Sequence, residues 1–486
     1  MDEKSRNSEI FSKAFSLHLA GNLNEAETLY RAILSSDDKH FNALTSLGNI
    51  YLQRGHREEA MRLFGLSLEI YPNQPIALNN RAVILNNLNR PAEALASCDQ
   101  AIALNSGFAE AHNNRGIALV RLNRPDEALA SYDRAIALKP EFAEVHNNRG
   151  IALVRLNRPV EALASYDRAI PHHPADAYWN KSHLKLLLGE FEEGWQLYEW
   201  RWQQAHRKMF SRNFLKPLWL GRESLAGKTI LLHTEQGFGD TIQLCRYAPM
   251  AESLGANVVF EVDPPLVGLI STLKDSITVV PRGSPLPEFD CYCPVMSLPL
   301  AFKTTVKTIP ANIPYLGVDP EKQRLWRSRM GSTARPQIGL VCSGRVEHDN
   351  DRSRSISMDL LAPLLDLDYD FHCLQKEIRS SDRKFLAEHP EIRTYENFLN
   401  DFSDTAALVA ELSLVISVDT SVAHLAGALG KRVWILLPVA PDYRWMLERE
   451  DSPWYPAARL FRQPQIDDWK GVIAKVLTEL KLLSCM

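Results

Sequence analysis

Residues 108–141 read FAEAHNNRGIALVRLNRPDEALASYDRAIALKPE, and residues 142–175 read FAEVHNNRGIALVRLNRPVEALASYDRAIPHHPA. The second stretch repeats the first with a period of 34 residues. One period earlier, from Gln74, the chain reads QPIALNNRAVILNNLNRPAEALASCDQAIALNSG. From His40 it reads HFNALTSLGNIYLQRGHREEAMRLFGLSLEIYPN, and a weaker copy begins near Asn7. Self-similarity at such a period means one supersecondary unit repeated, each copy burying its apolar face on the next. The fixed positions have a packing logic. Ala14, Gly48, Ala82, Gly116 and Gly150 form one column of small residues, and Ala26, Ala60, Ala94, Ala128 and Ala162 form another. Small side chains let the two helices of a hairpin approach closely. Tyr30, Phe64, Cys98, Tyr132 and Tyr166 are expected to fill the space between hairpins, and Pro72, Pro140 and Pro174 to stop the second helix of each.

These columns resemble the tetratricopeptide repeat over five copies. A sixth, two residues shorter, runs from Ala177 to Trp202, and its extra tryptophans suggest a cap that docks on the next domain. Arrays of this kind hold protein segments in a concave groove. Asn80, Asn114 and Asn148 stand two residues before the small column in three successive repeats. Asn180 continues the series, while Ser46 takes the place in the second repeat. A side-chain amide offers a donor and an acceptor together, so a column of them can hold an extended peptide regardless of its sequence. The column resembles the asparagine ladder of the O-linked N-acetylglucosamine transferases. Asn79, Asn113 and Asn147 recur as well, so simple duplication accounts for the pattern equally well.

The rest of the chain is a different kind of protein. The whole chain, 486 residues long, suggests about three units at roughly 150 residues each. A net charge of −4, with 55 basic and 59 acidic residues, gives no pull towards nucleic acid or anionic lipid. Apolar residues at 45% and charged residues at 23% are ordinary for a soluble globular chain. The opening MDEKSRNSEI lacks the apolar core of a signal peptide, and no apolar run reaches the ~18 residues of a membrane span. Seven scattered cysteines fit reduced thiols and a cytoplasmic setting: Cys98, Cys245, Cys291, Cys293, Cys342, Cys373 and Cys485. Cys291 and Cys293 are too close for a zinc knuckle and share a strand face, so they read as core, and no metal site is expected.

From Lys228 short apolar runs alternate with helical stretches. TILLHTE is a strand, QGFGD a loop, and a helix is expected from about Asp240 to Leu254. ANVVFEV, SITVVP and FDCYCPV are further strands. A second series starts at PQIGLVCSG and continues through YDFHCLQKE, EIRTYENF, the helix TAALVAEL, LVISVDT, the helix HLAGALG and KRVWILLP. The expected fold is an α-helical repeat solenoid followed by an α/β double-Rossmann domain. The domains are expected at residues 1–209, 210–320 and 321–486. Two Rossmann halves facing each other make a ligand site between strand carboxyl ends.

Two motifs carry chemistry. Gln236-Gly237-Phe238-Gly239-Asp240 sits at a strand-to-helix turn. As a dinucleotide fingerprint it fails, since Ile242 holds the third glycine position and Asp240 would repel a pyrophosphate, although Glu261 ends the next strand where a ribose-binding acid could be. Asp240 is then either a helix cap or a carboxylate in the cleft. The second motif is Asp419-Thr420-Ser421 at a helix start, with His424 one turn on. Backbone amides and the helix dipole there favour an anion such as a diphosphate.

G-x-G-D together with D-T-S-x-x-H-L-x-x-A-L-G resembles the bacterial heptosyltransferase family, over roughly Lys228 to Leu480. The resemblance implies a GT-B glycosyltransferase that inverts without metal and takes a nucleotide sugar as co-substrate rather than a cofactor. It makes Asp240 the general base. Gly237, Gly239, Asp419, Thr420, Ser421 and His424, with Arg352 or Arg354 standing in for the family's lysine, would hold the donor. The repeat arm followed by such a domain is similar in architecture to the O-linked N-acetylglucosamine transferases, which implies a protein acceptor or partner in the groove. The other reading is a scaffold carrying a degenerate transferase domain. Of the remaining candidates, Trp434 reads as core, Trp445, Trp454 and Tyr455 as candidate base-stacking groups, and Lys376 as either a solvated lysine or one that reaches phosphate.

Overall fold

A computed structural model describes residues 3–204, 212, 214–346 and 350–484. The expected boundary at 209/210, Cys485 and part of the loop before Arg352 lie outside the described residues. The chain divides into two compact units, residues 1–174 and 175–486.

The first unit is a succession of paired helices: α1 (Glu3–Leu19) with α2 (Leu23–Ser36), α3 (Phe41–Gln53) with α4 (Arg57–Ile70), α5 (Pro75–Asn87) with α6 (Pro91–Leu104), α7 (Ala109–Arg121) with α8 (Pro125–Leu138), and α9 (Ala143–Arg155) with α10 (Pro159–Ala169). Asn89, Asn123 and Asn157 take φ of 53–59° in the turns between paired helices. Asparagine tolerates this left-handed conformation better than most residues, and the proline two residues later opens the next helix. The small column has a sharper role than close approach alone. A Cβ on Gly116 would overlap the ring of Tyr132, and one on Gly150 would overlap that of Tyr166. Each aromatic therefore lies on the small residue of its own hairpin, not between hairpins as expected. The third copy makes the exchange in reverse, with Ala82 facing the smaller Cys98. Pro174 also differs from expectation. It opens the next helix, and α10 ends early because Pro171, which lacks an N–H, stands where the preceding repeat has Ala137.

The second unit begins with the sixth helix pair, α11 (Pro174–Leu187) and α12 (Phe191–Tyr198). Next come β1 (Thr229–His233), α13 (Phe238–Leu244), α14 (Ala248–Ser253), β2 (Asn257–Val262), α15 (Val267–Ile270), β3 (Thr278–Pro281), β4 (Cys291–Pro294) and α16 (Leu298–Ala301). The strands form a parallel sheet of order β3-β2-β1-β4. The single helix expected from Asp240 to Leu254 is two helices joined by a 3-10 turn at Cys245–Tyr247, with Pro249 in the first turn of the second. After α17 (Pro320–Met330), the second series contains β5 (Gln337–Val341), α18 (Asp351–Arg354), β6 (Asp370–Cys373), α19 (Ser380–Glu388), β7 (Arg393–Thr394) and α20 (Phe402–Ala410). It ends with β8 (Leu414–Val418), α21 (Ser421–Ala428), β9 (Val433–Leu437), β10 (Ala458–Arg462) and α22 (Trp469–Ser484). Its parallel sheet has the order β10-β9-β8-β5-β6-β7. The fold is thus a helical repeat solenoid followed by an α/β, Rossmann-like region. In both sheets the chain reverses direction of growth beside the first strand: β1 lies between β2 and β4, and β5 between β6 and β8. Ligands of open α/β sheets bind at such switch points, outside the strand carboxyl ends.

Candidate functional site

The loop after β1 and the loop after β8 both leave from these switch points, and they carry the two motifs. Within the second unit the motifs meet. A Cβ on Gly239 would stand 2.9 Å from His424 Cδ2 and 3.5 Å from Ser421 Cα. Gly239 has no side chain because the imidazole of the other half lies against it. Gly427 has a matching reason: a Cβ there would overlap the Tyr455 ring. The Tyr455 hydroxyl in turn lies 3.0 Å from His424 Nδ1, and Trp445 stacks on the imidazole with centroids 5.3 Å apart at 20°. His424 is thereby held on three sides. Burial, followed by the positive charge of Arg444, depresses its pKa to about 3, so the ring is neutral near pH 7.

Asp240 acts as a cap and also reaches the second half. Its Oδ2 accepts the Gly237 N–H at 2.8 Å, and its Oδ1 is paired with Arg444 of the second half. Arg444, buried, also donates to Asp442 Oδ1 at 2.9 Å and to Gln243 Oε1. Asp419 lies with its Oδ1 3.8 Å from His424 Nε2. Burial and the nearby Asp442 charge push its pKa up to about 6, with Arg354 opposing. Thr420 is the N-cap of α21 but makes no side-chain cap bond. Its hydroxyl pairs instead with Ser417 at 3.1 Å, and Ser421 is half-buried.

Of the two arginines weighed for the diphosphate, Arg354 is the one at the motif. Its Nη1 donates to the Asp419 carbonyl at 3.0 Å, and its guanidinium lies across Gly344, where a Cβ would meet Nη2 at 2.6 Å. Arg352 is exposed on the same short helix. The loop is set by Arg379, which donates to the Gly344 carbonyl at 3.0 Å and to both oxygens of Asp351 at 2.7–2.8 Å. Several other candidates fall elsewhere. Glu261 is fully buried and paired with Arg212. Lys376 donates to the Leu399 carbonyl, and Trp434 belongs to the core of the second sheet. Trp445, Trp454 and Tyr455 are all buried, so none presents an open face for a base. Six described cysteines are free and buried.

The residues that sequence reasoning missed are arginines, while the sixth helix pair, expected to dock on the next domain, lies against it. Arg444 sits next to the singled-out Trp445, yet nothing in PDYRWM signals a partner 204 residues away. Arg246 ties the two halves together. It donates to the Trp454 and Pro310 carbonyls, each at 2.9 Å, and to the Tyr315 hydroxyl at 2.8 Å. Tyr198 at the end of α12 bonds the Gln236 side chain at 3.0 Å, and Arg201 clamps Glu235 at 2.8 and 2.9 Å. The sixth pair therefore packs against the G-x-G-D loop itself.

In the first unit, the asparagine columns pair with one another. Asn114 Nδ2 donates to Asn79 Oδ1 at 2.8 Å, and Asn148 Nδ2 to Asn113 Oδ1 at 3.0 Å. Asn80 Nδ2 donates to Asn49 Oδ1 at 2.6 Å. Asn114 and Asn148 thus each bond the other asparagine column in the preceding repeat, whereas Asn80 finds Asn49, outside both columns. The amides stitch neighbouring repeats, which leaves each only part of its capacity for a peptide. Asn180 lies on α11, in the second unit.

Two family models described as tetratricopeptide repeat match residues 17–82 and 113–178. The chain is 26% identical over 326 residues to Protein FlbA of Caulobacter vibrioides (strain ATCC 19089 / CIP 103742 / CB 15), covering 62% of this chain and 54% of that one. It thus spans about half the length of this curated relative. Among solved structures it is similar to YrrB, described as a TPR protein with an unusual peptide-binding site (25% identity, 35% of this chain and 88% of that chain, TM-score 0.31). It is also similar to MamA (21%, 32% and 92%, TM-score 0.30) and to TTC0263 of Thermus thermophilus (22%, 37% and 99%, TM-score 0.31). The N-terminal unit contains tetratricopeptide repeats, an architecture that implies peptide or protein partners. No helix among the described residues is long and apolar enough to cross a membrane.

Proposed function

We propose that this chain is a glycosyltransferase that moves a sugar from a nucleotide-sugar donor to an acceptor hydroxyl, with the repeats recruiting a protein acceptor or partner. The observation that carries the reading is the contact of the two motifs, Gly239 against His424 and Ser421, at the carboxyl ends of two parallel sheets. Their resemblance to the heptosyltransferases adds to it. Asp240 takes the proton of the acceptor hydroxyl as its oxygen attacks the anomeric carbon. The bond from that carbon to the diphosphate oxygen breaks, and the electron pair leaves with the nucleoside diphosphate. The amides at the start of α21, the Ser421 hydroxyl and Arg354 receive that charge, and neutral His424 offers a hydrogen bond without adding charge.

The test is Asp240→Asn, which keeps shape and removes basicity. Sugar transfer should fall at least about a hundredfold, with nucleoside-diphosphate affinity retained. Near-normal transfer by the variant sinks the assignment. A scaffold with a silent transferase domain is the second reading. It is favoured by the pairing of Asp240 with Arg444, which occupies the oxygen that Gly237 leaves open. Nucleoside diphosphates that bind with no turnover of any nucleotide sugar would select it.

A further inference from the structure

Three consecutive residues after β9 bury themselves in three directions. Tyr443 packs edge-on against His183 and Trp195, each with centroids 5.7 Å away, and against Tyr198 at 6.3 Å, all on or beside the sixth helix pair. Arg444 turns into the first half, to Asp240 and Gln243 on α13. Trp445 stacks on His424 of α21. One 3-10 turn thus touches the helix pair, the carboxylate and the candidate donor helix.

We propose that Arg444 is the positioning residue for Asp240, and that the Tyr443–Trp445 turn fixes the base relative to the donor helix. The proposal rests on the glycosyltransferase reading above. A carboxylate that is to accept a proton must be held in one rotamer with a lone pair left for the acceptor. The Gly237 N–H fixes Oδ2 of Asp240, and Arg444 fixes Oδ1 from the other half. Arg444 is itself kept from pivoting. Gln243 takes its Nε–H, Asp442 takes an Nη1–H, and its guanidinium lies 4.4 Å over the Tyr443 ring. Asp442 also compensates its charge, so the group Asp240–Arg444–Asp442 carries one net negative charge. The other ionisable groups facing the pair are Tyr198 and Tyr443, with Asp419 and His424 behind Trp445. Displacing the turn by an ångström would displace the base by as much, an error that can cost about a hundredfold in rate.

The test compares wild type, Asp240→Asn, Arg444→Met, Arg444→Lys and the Asp240→Asn/Arg444→Met double variant. The readout is nucleoside-diphosphate release from UDP-N-acetylglucosamine, GDP-mannose and ADP-glucose as a function of donor concentration. Arg444→Met should lower kcat about 10- to 100-fold and leave KM for the donor nearly unchanged. Arg444→Lys should keep part of the rate. The double variant should be no slower than Asp240→Asn alone, since Arg444 acts through Asp240. Multiplicative losses, or a donor KM that rises in step with the fall in kcat, overturn the positioning role while leaving the site reading intact. Where Arg444→Met does not fold, Arg444→Lys carries the same cycle. A wild type that turns over none of the donors, or an Asp240→Asn variant of normal rate, sinks the glycosyltransferase reading and this role with it.

Discussion

Gly239→Ala probes the contact on which the site depends. The new methyl would stand 2.9 Å from His424 Cδ2, closer than carbon atoms normally approach, and 3.5 Å from Ser421 Cα. The imidazole cannot swing aside, because Tyr455 holds its Nδ1 at 3.0 Å and Trp445 covers its face. Relief must come from moving α13 and α21 apart by a few tenths of an ångström. Overpacking of this kind costs about 1–3 kcal/mol. Alanine recovers roughly 0.5–1 kcal/mol of helix propensity at this helical position. The net loss should be roughly 1 kcal/mol, within a range of about 0–2.5 kcal/mol, read by urea unfolding. Gly237→Ala is the control, since its Cβ would meet only Asp240 Oδ2, at 3.3 Å. Adding His424→Ala to Gly239→Ala should recover most of the loss attributable to the clash. If the cost of Gly239→Ala is the same with and without His424, the two motifs do not press on each other and the reasoning fails.

Asn114→Ala should destabilise the repeat unit by about 1–3 kcal/mol, because it leaves the buried Asn79 carbonyl without its 2.8 Å donor. Chemical denaturation of residues 1–174 within the full chain, followed by hydrogen exchange, checks it, and unchanged protection in α5 and α7 counts against the inter-repeat bond. Acid stability should divide by residue. His424 has a folded pKa near 3, below its ordinary 6.5, so the unfolded chain binds more protons and stability falls as pH drops through that window. Asp419 has its pKa raised from 3.8 to about 6, so it opposes that fall between about pH 6 and 4. His424→Gln should flatten the acid loss and Asp419→Asn should steepen it, in unfolding curves taken at pH 4, 5, 6 and 7. The same slope in all three proteins would refute the assignment.

The 34-residue period and the small columns are local, and they were legible because each repeat contacts chiefly itself and its neighbours. The strand-and-helix alternation after Lys228 was legible for a related reason. A strand buried on both faces is a continuous apolar run whatever its partners are. Asp240 and the Asp419–His424 segment could be picked out because strand ends and helix starts have sequence signatures. Which arginine reaches the motif could not be read, since Arg352 and Arg354 differ only in where a short helix points them. Nor could the two asparagine columns be told apart from duplication, because their pairing is a contact across 35 residues. The pairs Gly239–His424, Asp240–Arg444 and Arg246–Trp454 lie between about 185 and 210 residues apart, and no periodicity links their members. They exist because two parallel sheets, each growing outward from its first strand, place the carboxyl ends of β1 and β8 against each other. That arrangement belongs to the packed chain, and no local stretch of sequence carries it.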